Sequence, residues 1–251
     1  MKIDAHGLVV SEKRVGEGDR LVTVLTGERG VLRAFVRWSK LAGGGRLSAT
    51  RLFTYSRFSI FEGRDSYIID DAQPIEVFFD LREDIGRLSL AQYFCELAVT
   101  LAPQDSEAEI FLRLLLNAMH FLCRGTRQSS VLKAIVEMRM MSLAGYQPDL
   151  VCCAECGRYE AETMFFLPRS GNILCAGCYR AQNGQPAFTL CPGAMTALRH
   201  TVYADFEKLF SFRVSPGAER ELAAASENYV LETLQHGFQT LDFYHQMAES
   251  S

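Results

Sequence analysis

The 251-residue sequence predicts an α+β protein of several parts: a small N-terminal β-barrel, then an all-α domain that carries a cysteine-rich insertion. Three observations predict it. Apolar residues alternate with a period of two up to about residue 72 and with a period near 3.6 beyond Pro74. Two C-x-x-C pairs interrupt the helical part, and 48% apolar residues suits packed cores rather than disorder. The expected boundaries are 1–74 for the barrel, 75–150 for the first helical part, 151–190 for the insertion and 191–251 for the second helical part.

The strands come in order. Gly7-Leu8-Val9-Val10 opens the first, and Leu21 to Thr26 is a second that ends at the Gly27-Glu28-Arg29-Gly30 turn, so a hairpin is expected. On the next strand Leu32, Ala34 and Val36 share one phase, while Arg33 and Arg37 alternate with them and fall together on a face. After the Gly43-Gly44-Gly45 loop, Leu52 to Phe61 alternates again, and Ser66-Tyr67-Ile68-Ile69 follows a turn at Glu62-Gly63-Arg64-Asp65. Five short strands in about 70 residues fit a closed barrel of the oligonucleotide-binding (OB-fold) type, and other small barrels fit the spacing too.

Helical spacing follows in Leu88, Ala91, Gln92, Cys95 and Val99, and again in Ile110, Leu114, Met119 and Leu122 after a break from Pro103 to Ser106. A third helix is expected from about Ser130 to Leu143, closed by Ala144-Gly145-Tyr146-Gln147-Pro148. Met138, Met140 and Met141 read as core filler. From Pro192 to Phe243 the pattern is helical, with an interruption near Ser215-Pro216-Gly217. The longest apolar run, Leu114 to Cys123, is half the roughly 20 residues that a membrane span needs, and Asp4 and His6 leave no secretory apolar region at the start. No membrane association and a cytoplasmic location are expected.

Charge is unevenly placed. Residues 1–72 hold 12 Lys+Arg and 9 Asp+Glu, a balance of +3, which leaves −7 for the rest of a chain of net charge −4. Between Arg29 and Arg64 eight cations face one acid, Glu62. Such a run is ordinarily a solvated face; on an acidic chain it also suits a polyanion-binding module.

Cys153-Ala-Glu-Cys156 and Cys175-Ala-Gly-Cys178 are separated by 18 residues, the spacing of a four-thiolate zinc site. Four cysteine ligands leave no position for water, so a single Zn2+ there would be structural. Cys152 is an alternative first ligand, with Cys153 preferred. Phe165, Phe166 and Leu167 followed by Ser170-Gly171 suit a strand and turn between the two pairs. Cys95 and Cys123 lie on apolar helical faces and read as small buried hydrophobes; Cys191 has no assigned role. A dithiol redox pair is the rival for each C-x-x-C, without the βαβ context that such chemistry uses.

Catalytic motifs are missing. There is no G-x-x-x-x-G-K-[ST], no G-x-S-x-G and no H-E-x-x-H, and none of His6, His120, His200, His236 and His245 begins an H-x-E. The sequence therefore predicts no enzyme, and a hydrolase lacks any base and nucleophile pair.

Three separated segments together resemble the RecO DNA-repair family. They are Gly7 to Val10 with Gly16 to Thr26 and Glu28-Arg29-Gly30; Ala144 to Pro148 running through Leu150 into Cys153 to Gly157; and the C-terminal helix around Leu231 to Phe243. The resemblance covers most of the chain. It implies an OB-fold barrel, a helical domain and a zinc-binding insertion. It also implies a recombination mediator that binds single- and double-stranded DNA, anneals strands, and works with RecR and the single-strand-binding protein to load RecA. A nucleoid-associated cytoplasmic location goes with that. The run Arg37 to Gly45 departs from the small and basic run usual there, and some relatives lack the cysteines.

On this reading Arg33, Arg37, Lys40, Arg46, Arg51 and Arg57 are the candidate phosphate contacts, and Trp38 is a candidate stacking residue, with Phe35 either stacking or in the barrel core. Contact with about five phosphates would give log K against log salt a slope near −3.5. Two further readings are carried: a non-catalytic scaffold that recruits repair partners through the helical part, and a zinc-ribbon DNA-binding regulator.

Overall fold

The structure is a computed structural model that describes residues 2–16, 18–37, 45–63, 66–179 and 186–249. It divides into two compact units: residues 1–126 with 238–251, and residues 127–237. This grouping cuts across the four segments expected from sequence, because the first two long helices and the last one are built into the same unit as the strands.

In the first unit, β1 (Lys2–Val15), β2 (Asp19–Thr26), β3 (Gly30–Val36), α1 (Gly45–Ala49), β4 (Thr54–Glu62) and β5 (Tyr67–Val77) form a closed barrel of order β1-β2-β3-β5-β4. The expected first strand is much longer than Gly7 to Val10. Its first half pairs with β4 and its second half with β2, so one strand closes the barrel at both sides. A parallel contact of Ala34 with Tyr67 and Phe35 with Ile68 joins β3 to β5. Ile3, Val9, Val22, Val24, Leu32, Ala34, Val36, Phe58, Ile60 and Ile69 fill the interior, with Ala49 and Leu47 of α1 packed among them. Phe35 is therefore not core. It shares the outward phase of Arg33 and Arg37, because side chains on a strand alternate sides.

The register of β1 shifts between Val9 and Ser11, and the freed Val9 carbonyl accepts the N–H of Phe53 at 3.0 Å. Phe53 is fully buried with φ of 64°, a left-handed conformation that costs a bulky residue about 1–3 kcal/mol and persists only under surrounding constraint. Its carbonyl accepts the N–H of Phe78, which ties the end of β5 to the start of β4.

Two helices follow, α2 (Ile85–Leu101) and α3 (Glu109–Arg124), at the positions that the helical spacing predicts. Asp84 caps α2, its carboxylate accepting the Arg87 N–H at 2.9 Å. Ile110, counted among the apolar repeats, is exposed instead. The segment between the helices presses on the β2–β3 hairpin: Val31 N–H donates to the Pro103 carbonyl at 2.9 Å and Ala108 N–H to the Gly27 carbonyl at 2.8 Å. Gly30 has φ of +65°, and a Cβ there would stand 2.0 Å from the Pro103 oxygen. Only glycine fits that turn.

The second unit holds α4 (Ser129–Leu143), β6 (Asp149–Cys153), β7 (Met164–Leu167), β8 (Asn172–Cys175), β9 (Phe188–Leu190), α5 (Pro192–Tyr203) and α6 (Pro216–Leu234). Helix α4 ends as expected: Gly145 takes φ of +92° and Tyr146 N–H donates back to the Met141 carbonyl at 2.9 Å. Met138, Met140 and Met141 are fully buried. The small strands form a sheet of order β6-β8-β7-β9, in which the Ser170-Gly171 turn joins β7 to β8 as the sequence suggests.

The interruption near Ser215-Pro216-Gly217 is located differently in the structure. The gap spans residues 204–215, and Ser215 and Pro216 are instead the cap and first residue of α6, because proline suits a helix start, where its missing N–H goes unused. The last helix, α7 (Gln239–Glu249), returns to the first unit. There Phe238 packs edge-on against Tyr93 at 5.6 Å, and Thr240 N–H donates to Glu96 Oε2 at 3.3 Å.

Candidate metal centre and nucleic-acid interface

Cys153 ends β6 and Cys175 ends β8, two neighbouring strands of one sheet. Each is followed by a tight turn. Gly157 N–H donates to the Cys153 carbonyl at 2.9 Å, and Cys178 and Tyr179 N–H groups donate to the Cys175 carbonyl at 2.9 and 2.8 Å. These turns fold Cys156 and Cys178 back, and the four sulfurs lie within 4.8 Å of one another, with Cys156 and Cys175 at 3.7 Å. Cys152 falls outside the group, since the alternation of β6 sends it to the face opposite Cys153.

Burial pushes the Cys153 thiol up, but backbone N–H donors of Cys175, Cys156 and Glu155 outweigh it and hold the thiol at about 6. Cys178 is driven the other way, first by hydrogen bonding to Cys156 and Cys175. Four thiols this close together resist ionising as a full set, a conflict that a bound cation would remove. Phe165 stacks on Tyr179 at 4.0 Å and Phe166 packs on Tyr229 at 5.5 Å, fixing the stem and the second turn. Of the remaining cysteines, Cys95 is buried and its thiol is pushed far up by desolvation, which suits a packing role. Cys191 sits at the cap position of α5, where its N–H donates to Glu221 at 2.7 Å.

The candidate phosphate contacts separate into two groups. Arg33, Arg37 and Arg57 are exposed on the outer barrel surface. Arg46 and Arg51 are held by acids, Arg46 Nε at 2.7 Å from Asp71 Oδ1 and Arg51 at 3.4 Å from Glu12. The near absence of acids between Arg29 and Arg64 therefore does not survive folding, because strand pairing brings Glu12 and Asp71 from other parts of the chain. Arg57 borders a depression of about 280 Å³ lined also by Lys2, Asp4 and Asp71. Trp38 and Lys40 lie outside the described residues, as do Gly43, Gly44, Arg64 and Asp65.

Arg20 belongs to the segment that carries the resemblance, yet it is buried. It donates to Glu12 at 3.0 Å and to Thr50 Oγ1 at 2.7 Å, linking β1, β2 and the end of α1. Nothing in the sequence pattern distinguishes it from the surface arginines; only the barrel closure does. Among the described residues no helix is long and apolar enough to cross a membrane.

A closed five-stranded barrel with an arginine-bearing outer face, built against helices and joined to a unit with a four-cysteine cluster, defines a class: small-barrel proteins with a cysteine-cluster module. Residues 1–78 match the family profile described as Recombination protein O N terminal, and residues 82–242 match that described as Recombination protein O C terminal. The chain belongs to the RecO family. It is 30% identical over 241 residues to the DNA repair protein RecO of Acetivibrio thermocellus, covering 96% of this chain and 95% of that one. The DNA repair protein RecO of Symbiobacterium thermophilum is 28% identical over 243 residues, with 96% and 95% covered. That of Dehalococcoides mccartyi strain ATCC BAA-2266 is 30% identical over 234 residues, with 90% of each covered.

Proposed function

We propose that this chain is a non-catalytic DNA-binding and strand-annealing protein of recombinational DNA repair. The observation that carries the reading is the outer face of β3, where Arg33 and Arg37 stand exposed on either side of Phe35. The strand order β1-β2-β3-β5-β4, with β1 closing on β4, is that of an OB-fold, in which the face of the second and third strands receives oligonucleotides. Annealing requires no nucleophile. A cationic face holds two mutually repelling strands together, and base pairing supplies the driving force. Membership of the RecO family supports single- and double-stranded DNA as ligands, RecR and the single-strand-binding protein as partners, and RecA loading as the outcome.

The four-cysteine cluster is proposed to hold one structural Zn2+. Zinc with thiolate ligands at about 2.3 Å in a tetrahedron places sulfurs about 3.8 Å apart, close to the 3.7 Å between Cys156 and Cys175. Cys153, Cys156, Cys175 and Cys178 would hold the ion, which supplies cross-linking rather than chemistry. A nucleoid-associated, cytoplasmic site of action follows from the same reading.

The test is annealing and binding of complementary oligonucleotides across a salt series. With Arg46 and Arg51 already paired to acids, Arg33, Arg37 and Arg57 are the exposed candidates among the described residues, and contact through these three gives an expected slope of log K against log salt for single strands near −2 rather than the steeper value that five contacts would give. Arg33→Ala with Arg37→Ala should flatten that slope and slow annealing. Unchanged annealing by the double variant would overturn the barrel reading in favour of the scaffold reading, in which the helical part recruits partners.

A further inference from the structure

Strand pairing puts six residues that are scattered along the chain into one row across the outside of the barrel. Lys13 on β1 pairs with Leu21 on β2, and Leu21 pairs with Phe35 on β3. Phe35 pairs with Ile68 on β5, Ile68 with Phe61 on β4, and Phe61 with Lys2, back on β1. Directly opposed residues share a face, and the neighbours of each row member, such as Val22, Ala34, Ile69 and Ile60, point into the core. The row is thus apolar in its middle and ends in a lysine on both sides, because β1 wraps around the barrel and pairs with both β2 and β4. Phe61 is 52% exposed, the most open apolar member of the row, since Leu21, Phe35 and Ile68 are half-buried.

We propose that this row, from Leu21 through Phe35 and Ile68 to Phe61, is a base-stacking track that selects single-stranded DNA, with Phe61 as its outer platform. The inference rests on the DNA-binding reading above and adds a ligand preference to it. Charge complementarity favours a nucleic acid: Arg33 and Arg37 flank Phe35 two residues away on the same face, and Lys13 and Lys2 terminate the row. Asp70 lies 3.9 Å from Lys2 at the Phe61 end, so the lysine there answers both the acid and the ligand. Phe35 and Phe61 are separated by one intervening strand, about 10 Å at the usual strand spacing, room for one base on each ring and one between them on Ile68. Duplex DNA keeps its base faces stacked internally and has none to offer such rings; a single strand does.

The experiment measures full-length protein binding to a fluorescein-labelled oligothymidine and to a blunt duplex of the same length, each over a salt series. Phe61→Ala is expected to weaken single-strand binding by between about fivefold and a hundredfold, leave duplex binding unchanged and keep the salt slope, since no phosphate contact is lost. Phe61→Trp is expected to retain single-strand affinity. If Phe61→Ala leaves oligothymidine affinity unchanged while Arg33→Ala with Arg37→Ala lowers it, the track is overturned and the barrel reading stands. If neither variant lowers it, both fall. Equal loss on single strand and duplex, or a Phe61→Ala effect seen only on capture of a protein partner, also overturns the track.

Discussion

Gly7 shows how little room a paired strand leaves to a single residue. A Cβ on it would stand 2.6 Å from Val24 Cγ1 and 2.7 Å from the Leu25 carbonyl, both across the β1–β2 pair. Gly7→Ala is expected to destabilise the barrel by about 1–3 kcal/mol, read as a lower urea midpoint at unchanged m-value. Lys133 sets a second case, in the other unit. The residue is 2% exposed, and its ammonium lies 2.9 Å from Glu137 and 2.7 Å from Glu227, while Ser226 donates to Glu137 at 2.7 Å. Burial opposes the lysine charge, and the two carboxylates outweigh it and hold the group above its ordinary 10.5. A raised folded value means that this contribution is complete below the ordinary lysine range and disappears as pH climbs through the folded one. Lys133→Met should cost about 3–5 kcal/mol by taking the cation away from the buried Glu137 carboxylate, and adding Glu137→Met should recover much of it.

At the scale of elements, the zinc proposed for the cysteine module would stand in for a core. Its strands are three to five residues long, too short to bury much surface, and the two turns are held by a few backbone hydrogen bonds. Structural zinc in finger peptides contributes about 10–16 kcal/mol, more than such strands can supply. If the cysteines hold zinc as proposed, stripping it with a strong chelator is expected to abolish amide protection across β6, β7 and β8 while β1 to β5 keep theirs, measured by hydrogen exchange. Elemental analysis should find one equivalent of zinc before treatment. Loss of protection in the barrel at the same time would contradict the division into two units.

The whole molecule is organised by segments that meet far from their place in the chain. The fully buried Phe238 and the Thr240–Glu96 hydrogen bond bring the C-terminal helix onto α2, across more than half the sequence. Phe238→Ala is expected to lower the stability of the first unit by about 3–5 kcal/mol, seen as earlier loss of barrel protection in urea and not of the cysteine module. The same long-range assembly governs charge. Eight cations between Arg29 and Arg64 look almost unopposed when counted along the sequence, whereas Glu12 and Asp71 neutralise two of them in the fold. The DNA footprint proposed above is consequently narrower than the sequence count suggests and centred on β3.

Much was legible from the residues alone. Period-two alternation marked the barrel strands, period 3.6 marked α2, α3 and α4, glycine marked the end of α4, and the spacing of Cys153, Cys156, Cys175 and Cys178 marked the four-cysteine cluster. Each of these is a local signal, set by backbone geometry within a few residues or by one short motif. What pairs with what lay beyond that reach: the outward phase of Phe35, the burial of Arg20, the acid partners of Arg46 and Arg51, the docking of Pro103 on Gly30, and the row ending at Phe61. Those depend on strand register and closure, which are chosen by the summed packing of residues tens of positions apart, so only the tertiary structure could decide them.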